Sequence, residues 1–228
     1  MASLSPLEEK IAKLEAQVDS LLTLALTAHE RFVFLRPMMA DQRLNKQIES
    51  EGRIVGFERL RNWLYWAFVQ ELIKICSDND PRTPCVANLR KQLCDVQTLS
   101  ALEDKYAVNE LEVASEAQLR AEFRRIYKGF DERAEEMLSS PTVAGYKAIR
   151  DKLISHNELL KSESGYSPFD VRRTQLKYGD ERQLLETVRA LVDDLMTLIR
   201  RTDFTWQRAL DRAGEITNQF WNIEEKKP

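Results

Sequence analysis

The feature that most constrains the fold is a run of apolar residues at helical spacing near the amino end of the chain. Ser5, Pro6 and Glu8 supply an N-cap, a proline at the first helical position and a glutamate at the third, which is a capping-box arrangement. Apolar residues then recur at intervals of 4, 3, 4, 3 and 4: Leu7, Ile11, Leu14, Val18, Leu21 and Ala25. Each interval returns to the same helical face, so the pattern predicts a first helix over about residues 6–36. The stripe suits either the core of the chain's own bundle or a coiled-coil seam facing a partner.

Similar periodicity continues along the chain, which contains only 7 glycines and 7 prolines in 228 residues. Further helices are predicted over about residues 47–76, 85–93, 99–138 with an interruption around 105–108, 141–160, 180–201 and 206–221. We therefore predict a single all-α domain over residues 1–228, a helical bundle with long antiparallel helices. The last residues, 224–228, are predicted to be a frayed tail.

Aromatic residues broaden the apolar surface of the second predicted helix. Trp63, Tyr65 and Trp66 extend it almost around the helix, which predicts central burial or a protein interface. Stacking on RNA bases is the alternative. Burial is favoured, because basic residues do not alternate with these aromatics.

Charge and cysteine content narrow the function classes. The 34 basic and 37 acidic residues give a net charge of −3, which argues against a protein that coats nucleic acid nonspecifically but leaves room for a local RNA site. Cys76, Cys85 and Cys94 occur without a zinc-ligand pattern, so we expect reduced thiols and no metal site. No export signal and no apolar run of about 20 residues is visible, and a cytoplasmic protein without a membrane span is expected.

The predicted helix that follows Ser140-Pro141 contains the residues best suited to catalysis. Its apolar face is predicted to carry Tyr146, Ile149, Leu153, His156 and Leu160, with Arg150, Ile154 and Asn157 on the neighbouring stripe. A histidine in an apolar stripe suits either a hydrogen-bonded core or interface position or a catalytic one. Histidine titrates near neutral pH, and arginine remains charged and can hold two phosphate oxygens.

The run Ile149-Arg150-Asp151-Lys152-Leu153-Ile154-Ser155-His156 resembles the signature of the HEPN superfamily, and in particular its abortive-infection (AbiU-type) branch. That signature is an arginine, four to six residues and a histidine, often with a polar residue directly after the arginine. Arg150, Asp151 and His156 match it.

The resemblance implies a HEPN-type bundle and a metal-independent endoribonuclease of toxin or abortive-infection type, without a cofactor. Arg150 and His156 would be catalytic, and Asp151, Ser155 and Asn157 would support or orient them. It also implies a homodimer in which two motif helices form one RNA cleft, and a toxin of this type can have an antitoxin partner. The alternative is a catalytically inactive HEPN bundle that binds protein or RNA.

The segment after the motif helix, about residues 161–179, is predicted to be an irregular connection. It contains Arg172, Arg173 and Lys177, which are candidates for RNA contact. A mobile connector without such a role is the alternative.

Overall fold

A computed structural model describes residues 5–108, 114–155, 159–162, 165–177 and 179–221. The predicted all-α class is confirmed, with the addition of one small hairpin. The helices are α1 (Pro6–Ala40), α2 (Gln42–Ser50), α3 (Ile54–Cys76), α4 (Val86–Leu93), α5 (Val96–Ala107), α6 (Glu116–Ser139), α7 (Pro141–Ile149), α8 (Asp180–Leu195) and α9 (Trp206–Trp221). None of the helices in these ranges is long and apolar enough to cross a membrane.

Three shorter helical pieces and two strands complete the described chain. Arg150–Ser155 and Met196–Arg200 are π-helical extensions of α7 and α8, and Val171–Thr174 is a 3₁₀ turn. Strands β1 (Leu159–Ser162) and β2 (Gly165–Pro168) pair antiparallel, with Leu159 opposite Pro168 and Ser162 opposite Gly165.

The residue contacts divide the chain into two compact units, each assembled from separate stretches of sequence. Unit 1 comprises Met1–Ala25 and Ile73–Phe204, and unit 2 comprises Leu26–Leu72 and Thr205–Pro228. The organisation of residues 1–228 as a single domain stays a prediction.

In unit 1, α6 packs against α4, α5, α7 and α8. The predicted apolar stripes supply its core, which confirms their helical spacing: Leu14, Val18 and Leu21 from α1, Phe123, Phe130 and Ala134 from α6, and Val188, Leu191 and Leu195 from α8 are all buried. Burial of such faces is the main source of helix stability in a protein of this kind. Ion pairs lie at the edges of the core, including one of 2.6 Å between Arg133 and Asp194.

In unit 2, one hydrophobic cluster consists of buried residues from three helices: Leu35 and Met38 from α1, Leu44 from α2 and Phe57 from α3. Trp221 of α9 packs against this cluster, and its indole Nε1–H donates a hydrogen bond of 3.2 Å to the Phe34 carbonyl. The only other histidine besides the motif residue, His29, is buried with its ring 5.0 Å from that of Trp206.

The first helix extends beyond its predicted end near residue 36, because Pro37 does not terminate it. Proline removes one N–H donor from a helix, but its carbonyl can still accept. The Pro37 carbonyl accepts a hydrogen bond of 2.9 Å from the Asp41 amide, and Leu35 and Met38 on either side are buried. Core packing therefore carries α1 on to Ala40.

The second predicted helix, residues 47–76, is two helices. Asp41 caps α2 by accepting hydrogen bonds from the amides of Arg43 and Leu44, so this helix begins earlier than the apolar pattern indicated. The chain then turns at Gly52, whose φ of 68° lies in the left-handed region that glycine adopts without strain.

The prediction of burial for Trp63 is wrong, because 70% of this residue is exposed. Tyr65 and Trp66 are partly buried and their rings meet edge to face at 5.2 Å. The inward face of this part of α3 is instead defined by Phe57, Leu64 and Phe68.

The motif helix was predicted to run to residue 160, but α7 ends at Ile149, the π-helical turn ends at Ser155, and Leu159–Ser162 is a strand. The predicted irregular connector accordingly contains the end of β1, strand β2 and the 3₁₀ turn. Gly179, with φ of 99°, is the N-cap of α8. The predicted frayed tail, 224–228, lies outside the described residues.

Candidate active site

The helix that carries the motif arginine begins as the sequence predicted. The Ser140 hydroxyl accepts a hydrogen bond of 3.2 Å from the Val143 amide, and Pro141 occupies the first turn, where its missing N–H has no helical partner to lose. The stripe formed by Val143, Tyr146 and Ile149 is buried. Packing of this face fixes the direction in which the following turn leaves the core.

Arg150 lies where the α-helix widens into a π-helical turn. Its backbone N–H donates to the carbonyls of both Tyr146 and Lys147, four and three residues earlier, a shared hydrogen bond that is common at the end of an α-helix. Turns of this kind are rare, and they occur frequently at functional sites. The turn extends through Ser155, the last residue of the motif that the structure describes before His156.

The structure brings Arg150 and Asp151 together. The Arg150 Nε–H donates to Asp151 Oδ1 at 2.7 Å, and the two side chains are 18% and 40% exposed. Sequence neighbours point to different sides of a regular helix, so the arginine side chain bends toward the carboxylate to make this contact. Asp151 therefore has the geometry of a residue that orients the guanidinium.

The remaining motif residues are only partly covered by the structure. Ser155 ends the π-helical turn. The candidates His156 and Asn157 lie outside the described residues.

The three predicted cations of the connector are exposed and lie in or after the 3₁₀ turn. Arg172 pairs with Asp170, its Nε donating to the two carboxylate oxygens at 3.0 and 3.2 Å. Hydrogen bonds from the Arg172 side chain and backbone lower the pKa of Asp170. Within the described ranges, no carboxylate forms an ion pair with Arg173 or Lys177.

The connector packs closely on the motif helix. Gly145 of α7 lies so near Leu176 that a Cβ atom there would come within 3.0 Å of the leucine Cγ. On the adjoining turn, Lys152 Nζ lies 5.8 Å from the ring centroid of Phe169, a cation–π contact. The structure thus places the motif turn and the basic connector side by side.

A buried polar contact in this region was missed by the sequence reasoning. The Tyr146 hydroxyl donates to Glu181 Oε2 at 3.1 Å, and both residues are buried. The sequence predicts Tyr146 in the apolar stripe of the motif helix and a separate helix from about residue 180. A tyrosine in a core stripe usually finds a hydrogen-bond partner, which was the available signal, but its identity could not be deduced.

A cleft of about 580 Å³ lies near the start of α7, between α6 and α8. Its lining includes Arg133, Ser140, Thr142 and Asp180, and it does not include Arg150. The part of the chain that the structure describes contains no cluster of three or more residues suited to holding a metal ion.

Comparison with known proteins agrees with the motif. A family model described as "HEPN_AbiU2: AbiU2" matches residues 11–220. The match thus includes Arg150, Asp151 and His156, together with most of the helices. Comparisons with curated proteins and with solved structures gave no match.

Proposed function

Because the chain belongs to the AbiU2 family of HEPN proteins, we propose that it is a metal-independent endoribonuclease of the toxin or abortive-infection type. The observation that carries the proposal is the placement of Arg150 in a π-helical turn, oriented by Asp151, within a matched region that includes His156. RNA is the proposed substrate and the cytoplasm the proposed location. An antitoxin that restrains the activity is a further proposed partner.

The proposed reaction is attack of a ribose 2′-oxygen on the adjacent phosphorus. The 2′-hydroxyl loses its proton to a base, and the 5′-oxygen leaves with a proton from an acid. The products are a 2′,3′-cyclic phosphate and a 5′-hydroxyl. His156 supplies the proton transfers, because imidazole titrates near neutral pH. Arg150 stabilises the negative charge that builds on the phosphate oxygens.

The contact between Arg150 and Asp151 is compatible with phosphate binding. It engages Nε, whereas a guanidinium has five N–H donors in a planar fork. Holding the group through Nε limits its rotation, so less entropy is lost when the remaining donors bind a phosphate. Asp151 would thus act through Arg150 rather than on the substrate.

We propose that the complete site forms across a homodimer through two motif helices. The reaction needs both a base and an acid, and the chain has only two histidines. His29 is buried against Trp206 and is assigned a structural role. Two copies of His156, one from each protomer, would supply the two proton-transfer groups.

The connector is proposed to extend the site along the RNA. Arg172, Arg173 and Lys177 are exposed, and the segment that carries them packs on the motif helix. Contacts from such side chains to phosphates add affinity without reading the base sequence.

One observation favours the alternative of a catalytically inactive HEPN bundle that binds protein or RNA. Arg150 is mostly buried and already paired with a carboxylate of its own protomer. An arginine used only to stabilise the fold would show the same contact. The exposed Trp63 on α3 would suit a partner surface in that case, because tryptophan is enriched at interfaces.

The experiment compares purified wild-type, His156→Ala and Arg150→Ala proteins on total RNA in the presence of EDTA. Arg208→Ala is the matched control, since Arg208 is an exposed arginine of α9 and its loss changes the net charge equally. The expected result is cleavage by the wild type and Arg208→Ala only, with 2′,3′-cyclic phosphate ends. Equal cleavage by His156→Ala would refute its assignment as a catalytic residue, and RNA binding without cleavage by any protein would favour the inactive alternative.

A further inference from the structure

Glu181 is a buried carboxylate that the proposed reaction does not use. Only 4% of the residue is exposed, and it lies in the first turn of α8. Its Oε2 accepts hydrogen bonds from the Tyr146 hydroxyl at 3.1 Å and from the Gly179 amide at 3.2 Å. Burial of a carboxylate is unfavourable unless hydrogen bonds compensate, and the amino end of a helix adds a favourable dipole. Both donors reach the same oxygen atom.

This contact joins the two ends of the region that contains the proposed site. Tyr146 lies one helical turn before Arg150, and its side chain is anchored in the core. Gly179 and Glu181 follow the basic connector, so they fix the point at which that segment returns to the helices. A bond between Tyr146 and Glu181 therefore restrains both segments at once.

Two other contacts support the same arrangement. Gly145 gives Leu176 room to lie directly on α7, and Lys152 lies over the Phe169 ring. The connector is thus held against the motif helix at Phe169, at Leu176 and at its exit near Gly179. A hydrogen bond fixes the direction between its two groups, whereas apolar contacts such as those of Leu176 are non-directional. The Tyr146–Glu181 bond is consequently the contact that best defines the relative orientation.

We propose that Tyr146 and Glu181 are positioning residues, which hold the turn bearing Arg150 and the basic connector in one fixed arrangement for binding an RNA strand. The inference rests on the proposed function and deepens it. Arg173 and Lys177, which unlike Arg172 form no ion pair with a described carboxylate, then meet phosphates of the strand whose scissile phosphate is held by Arg150. Neither Tyr146 nor Glu181 contacts the RNA.

The test variants change the groups that form hydrogen bonds at Glu181 Oε2. Tyr146→Phe removes one of the two donors to that oxygen, and Glu181→Met removes the acceptor while keeping a side chain of similar length. Glu181→Gln can place an amide oxygen at the same point and keep both hydrogen bonds. Phe123→Leu is the control for lost stability, because Phe123 is buried in the same unit but takes no part in the contacts that hold the connector.

The first measurement is cleavage kinetics under conditions where thermal unfolding shows every variant to be folded. A displacement of about 1 Å at a catalytic group can cost up to roughly 100-fold in rate, so Tyr146→Phe and Glu181→Met should lower kcat by about 10- to 100-fold. Glu181→Gln should stay within about threefold of the wild type, as it keeps the hydrogen-bond geometry. Phe123→Leu should leave kcat unchanged while the protein remains folded.

The second measurement is the salt dependence of RNA binding, made in a His156→Ala background so that RNA is not consumed. For a single strand, each phosphate contact contributes about 0.7 to the slope of log K against log salt concentration. Loss of contacts from Arg173 and Lys177 should therefore reduce the slope by roughly 1.4 in Tyr146→Phe and Glu181→Met. A purely structural role would not change this slope in folded protein.

The outcomes separate the two proposals. If the wild type binds RNA but does not cleave it, and Tyr146→Phe still reduces the salt slope, the catalytic proposal fails and the positioning role stands. If cleavage and salt slope respond to Tyr146→Phe no more than to Phe123→Leu, the positioning role is refuted although the nuclease assignment stands. If the wild type neither binds nor cleaves RNA, both are overturned.

Discussion

The close approach of Leu176 to Gly145 allows a quantitative test of the contact between the connector and the motif helix. A Cβ atom at position 145 would lie 3.0, 3.1 and 3.3 Å from the Cγ, Cδ2 and Cδ1 atoms of Leu176. At Gly129, in the interior of α6, the nearest atom to an added Cβ is the Arg133 Nη2 at 3.5 Å, an ordinary contact. Both glycines are helical and belong to unit 1, so Gly129→Ala is a matched control for Gly145→Ala.

Both substitutions increase helix propensity, but only Gly145→Ala also introduces a steric clash. Alanine in a helix interior is more favourable than glycine by about 0.5–1 kcal/mol, so Gly129→Ala should raise the free energy of unfolding by that amount. Gly145→Ala gains the same propensity but forces Leu176 outward, and overpacking of this kind typically costs about 1–3 kcal/mol. Its net effect should lie between about zero and 2.5 kcal/mol of destabilisation. At about 2–4 °C per kcal/mol for a chain of this size, the Tm values of the two variants should differ by roughly 2–12 °C.

The assay is thermal and urea unfolding followed by circular dichroism, with Leu176→Ala and the Gly145→Ala/Leu176→Ala double variant completing a cycle. Once Leu176 is truncated, alanine at position 145 should become as favourable as alanine at position 129. Equal stabilisation by Gly145→Ala and Gly129→Ala in the wild-type background would refute the reasoning, since it would mean that Leu176 does not lie close to α7.

Three further predictions concern other parts of unit 1. The pKa of Asp95 is lowered from 3.8 to about 2, chiefly by the Thr98 hydroxyl, so the stabilising contribution of its charged form is present above pH 3.8 and is lost as the pH falls toward 2. The difference in the free energy of unfolding between the wild type and Asp95→Asn, measured in urea, should therefore shrink as the pH falls from 3.8 toward 2. A difference that does not change with pH would contradict this assignment. Ser140→Ala removes the N-cap of α7 and should cost about 1 kcal/mol in the same assay, and no change would mean that the cap contributes nothing. In folded protein at pH 8, a thiol-alkylating reagent should modify the exposed Cys94 and not Cys76, whose pKa burial raises to about 12; peptide mass mapping would reveal a contrary result.

The long helices could be predicted from the sequence because their signals are local. In α1, four of the six residues that recur at helical spacing, Leu14, Val18, Leu21 and Ala25, are buried, whereas Ile11 is partly buried and Leu7 is exposed. The start of α7 followed in the same way from Ser140 and Pro141, since a cap and a first-turn proline act within three residues. The family resemblance likewise depended on a short motif, and the match over residues 11–220 confirms it.

Element ends were less predictable because tertiary contacts decide them. Pro37 suggested a helix end, yet the buried neighbours Leu35 and Met38 keep the last turn of α1 in place. Gly52 lies inside the predicted helix 47–76, where the sequence gives no sign of its positive φ. Its role as a turn is visible only in the structure, in which a separate helix, α2, is capped by Asp41 and ends before Gly52. The hairpin that begins at Leu159 replaced a predicted helical turn, because the apolar residues there fit either period over so short a run.

The arrangement around the candidate site could not be predicted from sequence patterns, because its contacts join residues that are far apart in the sequence. From the sequence, Gly145 is only a residue of low helix propensity. The structure shows that Leu176 occupies the space that a side chain at this position would fill. Tyr146 fits an apolar stripe, and its hydroxyl acquires meaning only through Glu181, 35 residues later. Leu176 and Glu181 both approach α7, because the connector folds back on this helix, which precedes it in the sequence. The motif indicates the residues proposed to perform the chemistry, whereas these two contacts hold the connector against α7. If they position the connector's cations as proposed, substitution of Leu176 or Glu181 should alter RNA binding although the motif itself is unchanged.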